Sequence, residues 1–126
     1  MIYKIKRKVI KGSGTSKELG FPTLNVRYYK IDYKNISKGV WATTVKINHT
    51  IYPAATFVGK TKSLPENKEM IESHLINMNG IFNPRQIEIT FIKKIRKVVN
   101  FKNTSDLKKY IQNDCNNSLK ILKNYV

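Results

Sequence analysis

The chain has a single cysteine, few carboxylates and no long apolar run, and each scarcity excludes a class of protein. Because Cys115 stands alone, it cannot close an internal disulfide, and it offers no thiolate cluster to a metal ion. We therefore expect the protein to work in a reducing cytoplasm. No apolar run reaches the roughly 18 residues that a membrane-spanning helix needs, so we expect no membrane partner. Residues 1–8 alternate charged with apolar side chains, which is unlike a signal peptide.

Several catalytic signatures are also missing. The two histidines lack the spacing of a metal site, and neither a Ser-His-Asp set nor a pair of carboxylates for glycosidase chemistry can be assigned. The sequence contains no Gly-x-x-x-x-Gly-Lys-Ser/Thr motif, and Gly12-x-Gly14 lacks the third glycine of a dinucleotide fingerprint. Any nucleotide chemistry must therefore use a different kind of site.

Positive charge is what the chain has in excess. Its 24 Lys and Arg residues face only 8 Asp and Glu, which gives a formal net charge of +16. Such a field attracts polyanions, including RNA and nucleotides. The basic residues are spread from end to end, however, and no aromatic cluster has the spacing of a base-stacking platform. Nucleic acid is therefore a disfavoured partner, although the charge leaves it open.

Alternating apolar residues predict one mainly β domain over residues 1–126. The clearest alternation places Ile87, Ile89 and Phe91 on one face. Asn48 to Thr50 predicts a tight hairpin turn, and residues 103–106 supply capping side chains for a C-terminal amphipathic helix. Short strands with hairpin-scale links are typical of a small antiparallel barrel, closed or nearly so. The predicted extended segments are residues 2–10, 24–29, 40–47, 51–58, 70–78, 86–92 and 95–101.

A segment rich in glycine and hydroxyl groups, residues 12–25, is the candidate binding site. Its two glycines allow backbone amides to approach an anionic ligand closely. Thr23 and Asn25 stand two positions apart, so their side chains face the same way if the chain is extended. Two neutral oxygens suit Mg²⁺ on a nucleotide phosphate, because this hard ion takes few protein ligands besides phosphates and water. From the residues alone, an ordinary loop is the alternative interpretation.

Glu72 is the candidate general base. A carboxylate near a phosphate site can accept the proton of a substrate hydroxyl as its oxygen attacks phosphorus. His74 lies on the same face of the predicted strand and could support it. The alternative is a solvated glutamate on a strand face, paired with a lysine.

Several segments, in the same order along the chain, resemble the riboflavin kinase (flavokinase) family. Leu19-Gly-Phe-Pro-Thr-Leu-Asn25 is similar to the family's Leu-Gly-Phe-Pro-Thr-Ala-Asn segment. Glu72-Ser-His-Leu-Ile resembles its Glu-x-His-Ile-x-Asp stretch. Gly12 to Gly14 stand where the family has a loop that folds over ATP. Further matches are Gly39-Val-Trp-Ala42 to Gly-Val-Tyr-Ala, and Ile95-Arg96, Phe101, Leu107 and Asp114 to a closing Leu-Arg…Phe…Leu…Asp pattern.

The resemblance implies a six-stranded antiparallel Greek-key β-barrel with a C-terminal helix. It implies transfer of the γ-phosphate of ATP to the 5′-hydroxyl of riboflavin, giving FMN and ADP. Thr23 and Asn25 would hold Mg²⁺ and the phosphates, and Glu72 would be the catalytic base. We expect a monomer without a second domain, which stops at FMN rather than making FAD. The other residues implied to contact the ligands are Gly12, Gly14, Lys17, Pro22 and Arg96.

The sequence also departs from the family pattern in the loops. Thr15-Ser16 stands in place of an Arg-Gly pair, and Phe57-Val-Gly59 in place of Asn-Ile-Gly. These changes keep open a flavin- or nucleotide-binding barrel without catalysis, and the +16 charge with Tyr28-Tyr29 keeps open a basic RNA-binding barrel.

Overall fold

The structure, a computed structural model, describes residues 2–10, 23–60, 68–76, 83–101 and 103–125 of the chain. Within this part, a 3-10 turn over Lys30–Asp32 joins two of the strands, and no helix has the length and apolar character that a membrane crossing requires. The described strands are β1 (Tyr3–Lys8), β2 (Thr23–Arg27), β3 (Gly39–Ile47), β4 (Thr50–Lys60), β5 (Glu69–Leu75) and β6 (Gln86–Arg96), and the helix is α1 (Thr104–Leu122).

The six strands form one antiparallel sheet in the order β1-β6-β3-β4-β5-β2. Strands β3, β4 and β5 are consecutive neighbours, and β6 returns to lie beside β3, which is the Greek-key arrangement. The two end strands meet where Ile10, just beyond β1, bridges Asn25 of β2. There the Ile10 N–H donates to the Asn25 carbonyl at 2.7 Å. The sheet thus curls into the six-stranded barrel that the sequence predicts.

Alternate side chains of each strand fill the barrel interior, as the pleat of a β-strand requires. Ile87, Ile89 and Phe91 are buried, as their spacing predicts. Residues 71, 73 and 75 of β5 point into this core, which leaves residues 72 and 74 on the outer face of the sheet. The buried apolar core comprises Ile5, Leu24, Val26, Ile36, Val45, Ile47, Ala54, Val58, Ile71, Leu75, Ile87, Ile89 and Phe91.

A row of three buried hydroxyls crosses the interior from β3 to β5. Thr43 Oγ1 lies 2.7 Å from Thr56 Oγ1, which lies 2.8 Å from Ser73 Oγ. Thr43 also donates to the Ala54 carbonyl at 3.2 Å, so the other two hydroxyls can each donate along the row toward Thr43. Every buried hydroxyl of the row is thereby satisfied. The row favours the register of β5, the strand that carries Glu72 and His74.

Helix α1 packs on the outer face of the sheet. It begins where predicted, because the Asn103 side chain accepts a hydrogen bond from the Asp106 N–H at 2.9 Å. Its apolar stripe, with Ile111 and Cys115 buried, meets Val40 and Ala55 of the sheet. A second apolar layer therefore lies outside the barrel, between strands and helix.

A cluster of Arg7, Tyr29 and Asp32, called here the Arg7 cluster, ties β1 to the connection between β2 and β3. Asp32 is fully buried, and both of its carboxylate oxygens accept from the Arg7 guanidinium, with Nη2 at 2.7 Å from Oδ1. The Tyr29 N–H also donates to Oδ2 at 2.9 Å, and the guanidinium lies 4.8 Å from the Tyr29 ring centroid. The hydrogen bond to Asp32 is the main reason that the pKa of Arg7 is raised.

The strand boundaries differ from the predicted ones at the C-terminal end of the sheet. The pattern predicts separate extended segments at 86–92 and 95–101, whereas β6 runs unbroken from Gln86 to Arg96. The register of the β3–β6 pairing shifts at two points, between Val40 and Trp41 and between Ala42 and Thr43. Such bulges let the two strands stay paired although the in-and-out alternation of side chains along β6 changes. Residues 97–100 have no regular structure and lead to the helix.

Candidate active site

A cavity of about 630 Å³ lies between the outer face of the sheet, helix α1 and residues 98–101. Its volume is in the range that binds small molecules and cofactors. Apolar side chains from both layers form much of its wall, among them Val40, Phe57 and Ile111. Half of the sixteen described residues that line it are polar or charged, among them Glu72, His74, Arg96 and Asp114.

Glu72 enters this cavity from the middle of β5. It is only 5% exposed, and its Cα partners on the two neighbouring strands are Asn25 and Phe57. Its Oε1 lies 3.4 Å from Nε2 of His74, which points the same way two residues on. A buried carboxylate that faces a cavity has the placement of a general base, and the solvated strand-face alternative does not fit its burial.

Asn25 and Thr23 lie beside these groups on β2. Their Cα partners on β5 are Glu72 and His74, so all four side chains leave the same face of the sheet. Asn25 is 2% exposed, and no described residue donates a hydrogen bond to its Oδ1. A buried acceptor of this kind is costly without a donor or a cation.

These oxygens fit a hard divalent ion that is shared with phosphates, since such an ion needs only one or two protein ligands. The described residues contain no group of three or more His, Cys, Asp or Glu side chains that could hold a metal unaided. Asn25 Oδ1, with the Thr23 hydroxyl nearby, is thus the donor set on which a nucleotide-bound metal could rest.

A second cluster, called here the Arg96 cluster, consists of Arg96, Tyr110 and Asp114 and joins the end of β6 to helix α1. Arg96 donates from Nε to Asp114 Oδ1 at 2.8 Å and from Nη2 to Oδ2 at 2.7 Å. Its guanidinium lies 5.1 Å from the Tyr110 ring centroid. Phe101 packs edge-on against the same ring at 5.1 Å. Arg96, Asp114 and Phe101 all line the cavity, so this cluster builds one of its walls.

The mouth of the cavity has a charged pair and a glycine that allows close approach of the backbone. Lys38 pairs with Glu69, and the pKa of Lys38 is raised, chiefly by this hydrogen bond. Gly39 has φ of +146°, and an added Cβ would lie 2.4 Å from the Arg96 carbonyl oxygen. Only glycine therefore fits where β3 passes the end of β6.

The structure brings together four of the residues that the sequence singled out. Glu72 and Arg96 line one cavity, and Thr23 and Asn25 stand on the strand next to Glu72. The other predicted ligand-contacting residues, Gly12, Gly14, Lys17 and Pro22, lie outside the described residues, so their roles stay predictions.

Among the cavity residues that were not predicted as site residues, Asp114 and Phe57 matter most for its shape. Asp114 was seen only as part of the closing pattern, although it lies on the buried stripe of α1 with Ile111 and Cys115. A buried carboxylate needs a cationic partner, so the position of Asp114 on this stripe could have identified it as part of the site. Phe57 gave no such signal, because its role depends on its being the Cα partner of Glu72, which only the fold provides.

Comparison with known proteins agrees with this geometry. The family model for riboflavin kinase (flavokinase) matches residues 1–122. Over 113 residues the chain is 30% identical to a bifunctional riboflavin kinase/FMN adenylyltransferase of Haemophilus influenzae, covering 89% of this chain and 36% of that protein. The protein of the same description from Bacillus subtilis is 27% identical over 125 residues, covering 97% of this chain and 39% of that protein. The chain thus spans well under half the length of these relatives.

Solved structures support the fold. Riboflavin kinase from Trypanosoma brucei superposes with a TM-score of 0.65 at 21% identity, covering 97% of this chain and 80% of that one. At this identity the likeness concerns the barrel and its helix only. The match of the family model to nearly the whole chain carries more weight, and it shows that the chain belongs to the riboflavin kinase family.

Proposed function

We propose that this domain is an ATP-dependent riboflavin kinase, which transfers the γ-phosphate of ATP to the 5′-hydroxyl of riboflavin and releases FMN and ADP. The observation that carries the proposal is the buried pairing of Glu72 with Asn25 at the edge of a cavity large enough for a flavin or a nucleotide. Membership of the riboflavin kinase family supplies the identity of the two substrates.

Glu72 would act as the general base. Its carboxylate accepts the proton of the ribityl 5′-hydroxyl while that oxygen attacks the γ-phosphorus and the bond from phosphorus to the β,γ-bridging oxygen breaks. His74, with Nε2 3.4 Å from Glu72 Oε1, would hold the carboxylate in place. Positioning by the buried strand pair supplies most of what phosphoryl transfer asks of a protein.

Asn25 and Thr23 would hold Mg²⁺ together with the phosphates. When bound, the ion offsets the negative charge of the phosphate oxygens. The acceptor Asn25 Oδ1, which no described residue satisfies, supports this role. The apolar wall around Phe57 and the Arg96 cluster would receive the flavin ring, because aromatic rings bind most strongly to apolar and aromatic surfaces.

The test is conversion of riboflavin to FMN with ATP and Mg²⁺, followed by chromatography, for the wild type and Glu72→Gln. We expect FMN from the wild type and a loss of at least about a hundredfold in kcat for the variant, because the proton acceptor is gone. Glu88→Gln is the matched control. It makes the same chemical change on an outward-facing strand residue that does not line the cavity, and it should keep the wild-type rate.

Two results would contradict the proposal. A folded wild type that forms no FMN with any nucleotide is not a kinase, and retained flavin binding would then identify a non-catalytic barrel. A Glu72→Gln variant that forms FMN at the wild-type rate would show that Glu72 is not the general base, although the protein would still be a riboflavin kinase.

A further inference from the structure

A second cleft, of about 370 Å³, lies at the other end of β3 and β6 from the cavity. Glu88 in this cleft and Arg96 in the cavity are eight residues apart on β6, which corresponds to about 26 Å along an extended strand. The two sites are therefore separate. The polar residues lining the second cleft are Lys6, Lys46, Asn48, Arg85, Gln86 and Glu88.

The two lysines of this cleft lie on the strands at either side of β6. Lys6 of β1 and Lys46 of β3 are both Cα partners of Glu88 on β6, so the single carboxylate stands between two lysines. Glu88 already pairs with a third lysine, Lys4, at 3.6 Å. Three lysines around one carboxylate leave an excess of positive charge, which a bound anion would offset.

Three of the described carboxylates elsewhere in the chain are paired with other cations. Asp32 pairs with Arg7, Glu69 with Lys38 and Asp114 with Arg96. Of the described residues that line the cleft, only Glu88 is acidic. The cleft consequently holds a local part of the +16 charge that the described residues do not neutralise.

The cleft is continuous with a regular row of lysines. Lys4, Lys6 and Lys8 alternate along β1 and so project from the same side of the strand. Their spacing is about 6.6–6.8 Å, two residues of a β-strand. Successive phosphates of an extended nucleic-acid strand are spaced similarly, whereas the charges of an acidic peptide have no fixed spacing.

We propose that this basic face, centred on Lys6, Lys46 and Arg85, binds the phosphate backbone of single-stranded nucleic acid. Lysine and arginine would neutralise the phosphates, and the Asn48 and Gln86 amides can donate hydrogen bonds to phosphate or sugar oxygens. Basic residues alone attract an anionic membrane surface, but stable interfacial binding is strengthened by apolar side chains that insert, which makes a membrane the less suitable partner. In the part of the chain that the structure describes, none of the large exposed apolar side chains lines the cleft.

The experiment measures binding of a fluorescent oligouridylate of about 15 nucleotides over a series of salt concentrations. The test variant combines Lys6→Gln, Lys46→Gln and Arg85→Gln. The matched control combines Lys108→Gln, Lys109→Gln and Lys120→Gln, which remove the same charge from exposed positions of α1. Both variants should fold and keep the wild-type rate of FMN formation, since neither alters a residue of the active site.

For single strands, the plot of log K against log salt has a slope of about −0.7 for each phosphate neutralised. Loss of three contacts should therefore reduce the slope of the test variant by about 2, while the helix control keeps the wild-type slope. No binding at low salt would overturn the proposal, as would equal losses in both variants. Binding to phosphatidylserine vesicles or to polyglutamate that is tighter than binding to the oligonucleotide would assign the face to another partner.

Discussion

The Arg7 and Arg96 clusters have almost the same chemistry in two different places of the fold. In each, an arginine forms a bidentate ion pair with a buried aspartate and lies over a tyrosine ring. The guanidinium carbon of Arg7 is 4.8 Å from the centroid of Tyr29, and that of Arg96 is 5.1 Å from the centroid of Tyr110. Asp32 is 0% exposed and Asp114 is 5% exposed. Nothing in the pairwise geometry distinguishes the two clusters.

Their surroundings differ. The Arg7 cluster joins β1 to the β2–β3 connection, and none of its residues lines the cavity. The Arg96 cluster joins β6 to α1, and both Arg96 and Asp114 line the cavity with Phe101. The same bidentate arginine–aspartate pair therefore joins elements of the barrel in one place and forms part of the cavity wall in the other. Location, and not the strength of the ion pair, decides which cluster serves function.

The largest effect should follow from breaking the Arg7 cluster. Asp32→Asn keeps the shape of the side chain but takes the negative charge from a fully buried position. The change leaves Arg7, whose side chain is 17% exposed, without its carboxylate partner, which should lower the free energy of unfolding by about 3 kcal/mol. Urea denaturation of the variant would measure this loss. Because no residue of the cluster lines the cavity, the folded fraction should form FMN with unchanged kinetic constants.

A double variant separates charge from packing. Adding Arg7→Met to Asp32→Asn removes the uncompensated charge, so the double variant should be more stable than Asp32→Asn alone. If the double variant is less stable than Asp32→Asn, the uncompensated Arg7 charge is not the cause of the loss. Electrostatics would then not explain why the two clusters differ in their effect on stability.

A smaller loss of stability, with a kinetic effect, should follow from Asp114→Asn. Among the described residues, Asp114 accepts its side-chain hydrogen bonds from Arg96, whereas Asp32 accepts from Arg7 and also from the Tyr29 N–H, so fewer contacts are lost here. We expect a decrease of about 1–3 kcal/mol in the free energy of unfolding. Since Arg96 and the helix wall would shift, the KM for riboflavin should rise several-fold while kcat changes less.

Kinetic constants separate a wall residue from a merely structural one. An unchanged KM for riboflavin in Asp114→Asn, with the same loss of stability, would make the Arg96 cluster equivalent to the Arg7 cluster. Asp32→Asn is the control for general destabilisation in this measurement.

The two clusters also show how far the sequence could be read. Arg96 was predicted as a ligand-contacting residue by resemblance, yet its guanidinium is engaged with Asp114, and it shapes the wall through that pair. The partner of a long-range pair is not readable from spacing, since 18 residues separate Arg96 and Asp114. The Arg7–Asp32 pair, 25 residues apart, was not predicted for the same reason.

Local signals were more reliable. The alternation in β6 predicts which of its residues enter the core, and the Asn103 cap predicts the start of the helix. The opposite faces of β5 were also readable, which placed Glu72 with His74 outside the core. That Asn25 stands directly across from Glu72 depends on the pairing of β2 with β5, which no local pattern specifies.

The smallest expected effect is a loss of folding stability at alkaline pH, which should differ between the two regions. Burial, with a lesser effect of Asp114, raises the pKa of Cys115 from 9.0 to about 12. Near the Arg7 cluster, burial raises the pKa of Tyr28 from 10.0 to about 12, and its hydroxyl donates to the Ile36 carbonyl. Each group stays protonated longer in the folded than in the unfolded chain. Its contribution to stability is therefore complete below the unfolded pKa and is lost as the pH rises toward 12.

The two regions should consequently lose stability in different pH windows. From pH 8 to pH 10, ionisation of the unfolded thiol should remove roughly 1 kcal/mol from the free energy of unfolding. Cys115→Ala should abolish this part of the loss, whereas Tyr28→Phe should change the profile mainly above pH 10. Denaturation in urea at pH 8, 9, 10 and 11 under reducing conditions, for the wild type and both variants, would measure the two windows. If Cys115→Ala loses stability as the wild type does between pH 8 and 10, the thiol is not the group that titrates, and the helix layer is less tightly packed than its burial indicates.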